Sequence, residues 1–241
     1  MHLDTKTVYD VYDFDLWVNR SGLLQQEAYL ITQYLSNKNA TTLEAGTGGG
    51  RIAYALEEQG YTDITAFDFV DRFIEAAKNK NPISKINFVV ADATDLHLFQ
   101  NNTFEQIIYL QQIISVIPAP LIKTALMEAK RILKDDGIAV FSFLNWNGRS
   151  YNTILSILTN FSRWLRREPI VKQQLPLLKL GGRFNWKFFN SHQSTNHWFY
   201  KEEIKDLLEH LGFTILDIKT SSDFVQSTSE GMLYFVCQKK S

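Results

Sequence analysis

The stretch Thr42-Leu43-Glu44-Ala45-Gly46-Thr47-Gly48-Gly49-Gly50-Arg51 is a short apolar run that ends in an acid and a cluster of glycines. A short apolar run bounded by turn residues predicts a buried strand over 41–44, and the glycines predict a tight turn after it. Ile52, Ala53, Ala55 and Leu56 then recur at helical spacing, so a helix follows and stops near Gly60. Strand, glycine loop and helix form one unit.

The same alternation continues on the C-terminal side. Strands are predicted over 64–67, with Asp68 at the end, over 86–90, ending at Asp92, over 106–110 and over 137–143. Between them lie a helix over 71–80, stopped before Pro82, and an amphipathic helix over 120–133 with proline in its first turn. Before the glycine loop, apolar residues over 23–35 form one helical stripe, and the aromatic, acid-rich 1–22 reads as an irregular arm or short helix. Strands alternating with helices require right-handed crossovers and a parallel sheet covered on both faces. The alternation breaks over 144–200, then resumes with a helix over 201–211 and strands over 214–219 and 232–238. No helix separates those last two strands, so they are antiparallel neighbours. The predicted fold is therefore α/β: a doubly wound, mostly parallel seven-stranded sheet with an antiparallel last strand and helices on both faces. One domain is expected, with an arm and helix over 1–40, a core over 41–143, a lid insertion over 144–200 and a C-terminal part over 201–241.

With 241 residues, 45% of them hydrophobic, the chain can bury a sizeable core. A formal net charge of −1 gives no basic footprint for nucleic acid. The lone Cys237 lies in the apolar run Leu233-Tyr234-Phe235-Val236-Cys237, which points to a buried thiol and a reducing compartment. No window approaches the length of an apolar membrane span, and the start lacks a basic region followed by an apolar one. A soluble cytoplasmic monomer or homodimer is expected.

Ligands of open α/β sheets bind outside the carboxyl ends of the strands. Glu44, Asp68 and Asp92 stand at three such ends. Three acids in one row repel a triphosphate but suit a ligand that offers an ammonium group, ribose hydroxyls and an adenine amino group. A G-x-G-x-x-G frame from Gly46 would need glycine where Arg51 stands, and no G-x-x-x-x-G-K-[ST] string is present. Arg51 itself reads equally as a solvated helix residue or as the partner of a carboxylate.

At this point the chain resembles the class I, Rossmann-like S-adenosylmethionine-dependent methyltransferases of small-molecule type. Glu44, Gly46, Gly48 and Gly50 match the acid and G-x-G-x-G of their first motif. The resemblance implies that this loop wraps the methionine part of the cofactor, Asp68 binds the ribose hydroxyls and Phe69 covers an adenine face. It further implies that Asp92 takes the adenine amino group beside the Ala93 backbone, and that Leu110 and Gln111 lie near the methyl group. Trp17 and Arg20, with Tyr12 on the substrate side, would cap the cofactor unless they belong to an ordinary packed arm. Leu133-Lys134-Asp135-Asp136-Gly137 looks like the family's turn into strand five, with Asp136 where proline is usual. The likeness spans roughly 40–143 and 198–239. No Asn-Pro-Pro-Tyr-like string follows the fourth strand, where Leu110-Gln111-Gln112-Ile113 stands, which argues against methylation of a flipped DNA adenine.

Over 144–200 eight Lys or Arg residues face one acid, Glu168. The segment is either a solvated basic face or a set of arginine forks, Arg166, Arg167 and Arg183, for an anionic acceptor. Its helix, predicted over 151–167, carries a broad apolar face that would close over the pocket, pair with another subunit or touch a membrane surface. His192 and His197 are the candidate general bases. No tandem Cys/His ligand spacing is present, so no metal site is expected. The leading expectation is a methyltransferase acting at O, N or C of a small molecule. A non-catalytic cofactor-fold protein and a nicotinamide-dependent oxidoreductase are the alternatives.

Overall fold

A computed structural model describes residues 5–149, 153–167, 170–171, 173–180, 183–185, 196–224 and 231–240. The arm holds α1 (Thr5–Thr7), a π-helical turn (Val8–Tyr12) and α2 (Phe14–Val18). The first full helix is α3 (Gln25–Tyr34). The core then runs β1 (Thr42–Ala45), α4 (Arg51–Glu58), β2 (Ile64–Asp68), α5 (Asp71–Lys80), β3 (Asn87–Val90) and β4 (Phe104–Tyr109). After it come the short α6 (Ile113–Val116), α7 (Ile122–Ile132) and β5 (Leu133–Asn145).

The segment that interrupts the alternation contains α8 (Thr153–Leu165), β6 (Gln174–Leu175), β7 (Lys179–Leu180), β8 (Arg183–Phe184) and β9 (Asn196–Phe199). The chain closes with α9 (Lys201–His210), β10 (Phe213–Thr220) and β11 (Met232–Lys239).

The main sheet has the order β10-β11-β5-β4-β1-β2-β3. β1 through β5 are mutually parallel, and β11 runs antiparallel to both β5 and β10, as the missing helix between the last two strands requires. The strand count departs from seven. β9 adds parallel pairs to the end of β5, Leu144 to Trp198 and Asn145 to Phe199, and β6 pairs with β9, giving nine strands. Two-residue pairings have no periodicity to read in a sequence.

Each strand feeds both faces. Along β4, Ile107 and Tyr109 pack with α7 and α9, whereas Ile108 joins α3, α4 and α5 on the other face. On the α7/α9 face Phe143 meets Phe199 and Phe235 edge-on at 5.3 and 5.7 Å, an arrangement that favours aromatic pairs. Cys237 is buried on this same face, and burial raises its thiol far above the ordinary range. Asp136, in the position of the expected turn proline, adopts a left-handed φ of 60°, which aspartate tolerates better than most residues. The strand order reverses direction between β1 and β4, where the crevice of a doubly wound sheet opens. No helix among the described residues is long and apolar enough to cross a membrane.

Candidate functional site

The glycine loop leaves β1 at this crevice. Gly46 turns with a left-handed φ of 64°, and the Ile113 side chain of α6 fills the space that a Cβ there would need. A Cβ on Gly49 would stand 2.5 Å from the Val18 carbonyl oxygen at the end of the arm. The glycines therefore admit two neighbouring segments as well as a ligand.

The three strand-end acids differ in their surroundings. Glu44 Oε2 accepts the Thr47 hydroxyl at 2.7 Å and the Ala53 amide at 2.9 Å, so this acid ties β1 to the first turn of α4. Burial pushes its pKa from 4.5 to about 7, against the lowering effect of the Thr47 bond and the Arg51 charge. Asp68 accepts the Gly48 amide at 2.9 Å on one oxygen and the Val70 amide at 3.0 Å on the other. Burial raises it from 3.8 to about 6, with the backbone amides opposing. Asp92 is exposed, and its Oδ1 accepts the Thr94 amide and hydroxyl, each at 2.8 Å.

Arg51 is buried and forks both carboxylate oxygens of Glu27 on α3, at 2.6 and 2.7 Å, and also donates to the Gly22 carbonyl. Of the two readings of Arg51, the carboxylate partner is the one observed. Burial acts against its charge, but the Glu27 bonds and charge outweigh that and raise its pKa. Glu27 also accepts the side-chain amide of Gln111, whose own carbonyl accepts from Arg20 at 3.4 Å. Gln111 and Gln112 hold left-handed φ values of 62° and 71° at the end of β4, strain of a kind that concentrates at functional sites. The arm, the glycine loop and the end of β4 are thus one polar network.

A cavity of about 530 Å³ lies among these groups, within the usual size range of small-molecule sites. Glu44, Gly46, Gly48, Asp68, Phe69, Asp92, Ala93, Gln111, Trp17 and Arg20 all line it. The apolar wall comes from Phe73 and from the stretch after β4 that includes Ile113 and Leu121. Trp17 Nε1 is buried without a hydrogen-bond partner among the described residues, and the Arg20 guanidinium sits 4.2 Å from the centre of its ring. Burial, and then the Arg51 charge, lower the pKa of Arg20. An orphaned N–H donor and a cation pressed by another cation on one wall fit a ligand carboxylate. The acids at the strand ends fit ligand hydroxyl and amino groups.

Other candidate residues lie elsewhere. Leu110 is buried in the core rather than in the cavity wall, because the period of two turns its side chain into the α3/α4 layer. Tyr12 is exposed, and Tyr9, earlier in the same π-helical turn, lines the cavity instead and meets Trp17 and Phe69 at ring distances of 6.2 and 6.3 Å. Arg166 Nη1 donates to Ser162 at 2.7 Å and Arg167 is exposed past the end of α8; neither lines the cavity. The Arg183 side chain and all of His192 lie outside the described residues. His197 is buried on β9 with its ring 4.4 Å from that of Phe199, and it does not line the cavity. Burial lowers its pKa, against a raising effect of Glu203. Tyr9, Lys6 and Glu27 were not singled out from sequence: Glu27 stood in the helical stripe as an ordinary polar residue, and only its contact with Arg51 gives it a role. Among the described residues no group of three or more His, Cys, Asp or Glu could hold a metal ion.

Residues 42–137 match the family model described as a methyltransferase domain. Over 123 residues, 50% of this chain, it is 27% identical to the ubiquinone biosynthesis O-methyltransferase of Hydrogenovibrio crunogenus, of which 49% is covered. The chain spans 31% to 49% of the length of the curated relatives it matches. Among solved structures it superposes on a SAM-dependent methyltransferase of Methanosarcina mazei with a TM-score of 0.67 and 19% identity, covering 88% of this chain and 97% of that one. It also superposes on the 1,6-didemethyltoxoflavin-N1-methyltransferase of Burkholderia thailandensis, solved with 1,6-didemethyltoxoflavin and S-adenosylhomocysteine bound. There the TM-score is 0.64 at 18% identity, covering 97% of this chain and 84% of that one. At such identities the likeness establishes the fold.

Proposed function

Because this chain carries a methyltransferase domain over residues 42–137 on the class I, Rossmann-like methyltransferase fold, we propose that it moves a methyl group from S-adenosylmethionine to a small-molecule acceptor. The observation that carries this reading is the pairing, in one cavity, of an unpartnered Trp17 Nε1 and the Arg20 cation with the acids Glu44, Asp68 and Asp92. A zwitterionic amino acid joined to a nucleoside offers a carboxylate to the first pair and donors to the acids.

When bound, the cofactor supplies an electrophilic methyl carbon on a sulfonium. Trp17 and Arg20 would hold its carboxylate, while Glu44 and the glycine loop would receive its ammonium end. Asp68 would accept from the ribose hydroxyls, and Phe69 would cover one adenine face. Asp92 would accept from the adenine amino group next to the Ala93 backbone. Gln111, fixed in a left-handed conformation by Glu27 and Arg20, faces the reacting end. An in-line displacement asks the protein mainly for alignment and exclusion of water, which the aromatic lid of Tyr9 and Trp17 over the glycine loop serves. Lys6, on the cavity wall and paired with Asp71 at 3.3 Å, is a cation that an anionic acceptor would meet.

Titration calorimetry with S-adenosylmethionine and S-adenosylhomocysteine tests this reading. Both should bind, and Trp17→Phe, which keeps the ring and removes the donor, should weaken each by about 1.5–3 kcal/mol, roughly ten- to a hundredfold. Absence of binding by the wild-type chain overturns the proposal.

A further inference from the structure

The helix α8 is built inside out. Ile154, Ile157, Leu158, Phe161, Trp164 and Leu165 recur at helical spacing on one stripe, and each is more than half exposed. The helix instead packs through its other side: Leu155 lies against the core, Thr159 and Arg163 are buried, and Arg163 Nη1 donates to the Gln174 carbonyl of β6 at 2.6 Å. The Phe161 and Trp164 rings stack on the exposed side with centroids 5.8 Å apart. Past the helix, Ile170 and Val171 are exposed as well. A contiguous apolar patch of this kind on a folded surface marks an interaction site.

Charge decides between occupants. Over 144–200 the sequence has a surplus of seven positive charges in a chain whose total is −1, which leaves −8 on the remainder. A second copy seated on this face would bring Arg166 and Arg167 up against their own counterparts, and 153–167 contains no acid to receive them. Closure of the stripe over the cavity would require α8 to turn over and expose Arg163, which is committed to β6. An anionic bilayer surface meets neither obstacle. Tryptophan and phenylalanine favour the headgroup level, and arginines beside them reach lipid phosphates. The helix is 13 residues long, too short to span a bilayer but suited to lying in its interface.

We propose that the exposed stripe of α8 docks this chain on an anionic lipid bilayer, with Phe161 and Trp164 inserted at the headgroup level and Arg166 and Arg167 at its end meeting lipid phosphates. The helix is anchored to do this. Its partner β6 pairs with β9, β9 pairs with the end of β5, and β9 packs against α6, whose Ile113 lines the cavity.

Co-sedimentation of the full chain with vesicles tests this independently of any catalytic activity. The chain should bind mixed phosphatidylcholine–phosphatidylglycerol vesicles, and at least about tenfold less tightly either vesicles of phosphatidylcholine alone or the mixed vesicles at high salt. Phe161→Ser with Trp164→Ser, both at exposed positions, should reduce binding by about tenfold or more while leaving the thermal midpoint unchanged. Arg166→Glu with Arg167→Glu keeps the apolar stripe and should abolish the preference for anionic vesicles. Failure to sediment with the mixed vesicles overturns the proposal, as does binding that neither double variant alters. A concentration-dependent dimer in sedimentation velocity that Phe161→Ser with Trp164→Ser dissolves, without vesicle binding, would assign the face to a second copy instead.

Discussion

Glu44 and Asp68 are carboxyl groups removed from water at the centre of the cavity, and this makes them a measurable liability. Each has a folded-state pKa above its ordinary value, 4.5 to about 7 for Glu44 and 3.8 to about 6 for Asp68. The folded chain therefore binds protons more tightly than the unfolded one across those windows, and stability falls as pH rises through them. For Glu44 alone the loss from below pH 4.5 to above pH 7 is about 3 kcal/mol. Urea unfolding at a series of pH values should show the wild type losing stability between about pH 4 and about pH 7, and Glu44→Gln losing clearly less. Parallel curves would mean that Glu44 ionises in the folded chain as it does in water. The fold keeps this cost because the same carboxylate ties β1 to α4 and, in the proposed function, meets a cationic ligand.

At the scale of elements, the arm and α3 are fastened to the glycine loop by the buried Arg51–Glu27 pair, whose side chains are 9% and 1% exposed. Breaking one partner strands the other's charge. Glu27→Gln should therefore cost about 3–5 kcal/mol, and Glu27→Gln with Arg51→Met should recover part of the loss. Equal urea midpoints for Glu27→Gln and wild type would remove this fastening from the account. The elements themselves were largely legible. α5 falls on the predicted 71–80, and α3, α4 and α9 fall within about two residues of expectation, because their apolar stripes face the sheet. For α8 the periodicity gave the helix but not its direction: a stripe says that a face is apolar, not that it is covered. The short pairings β6 and β9 left no pattern to read.

For the whole molecule, the parallel β1 to β5 and the antiparallel β10–β11 pair follow from alternation, crossover handedness and the missing helix before the last strand, whereas the order β3-β2-β1-β4-β5 and the place of β11 beside β5 come from the structure. Within the candidate site, the three acids were legible as strand-end residues: Glu44, Asp68 and Asp92 stand at the ends of neighbouring strands, and all three line the cavity. What sequence could not supply was contact between distant segments. Tyr9 rather than Tyr12, the turning away of Leu110, and the Glu27–Gln111–Arg20 chain depend on how the arm and the end of β4 meet the glycine loop. In the proposed function this meeting point binds the two ends of one zwitterionic nucleoside. A crystal structure with S-adenosylhomocysteine should place the ligand carboxylate within hydrogen-bond distance of Trp17 Nε1 and Arg20, and the ribose hydroxyls on Asp68; a ligand bound away from the glycine loop, or bound there with its carboxylate turned from the arm, would overturn that function.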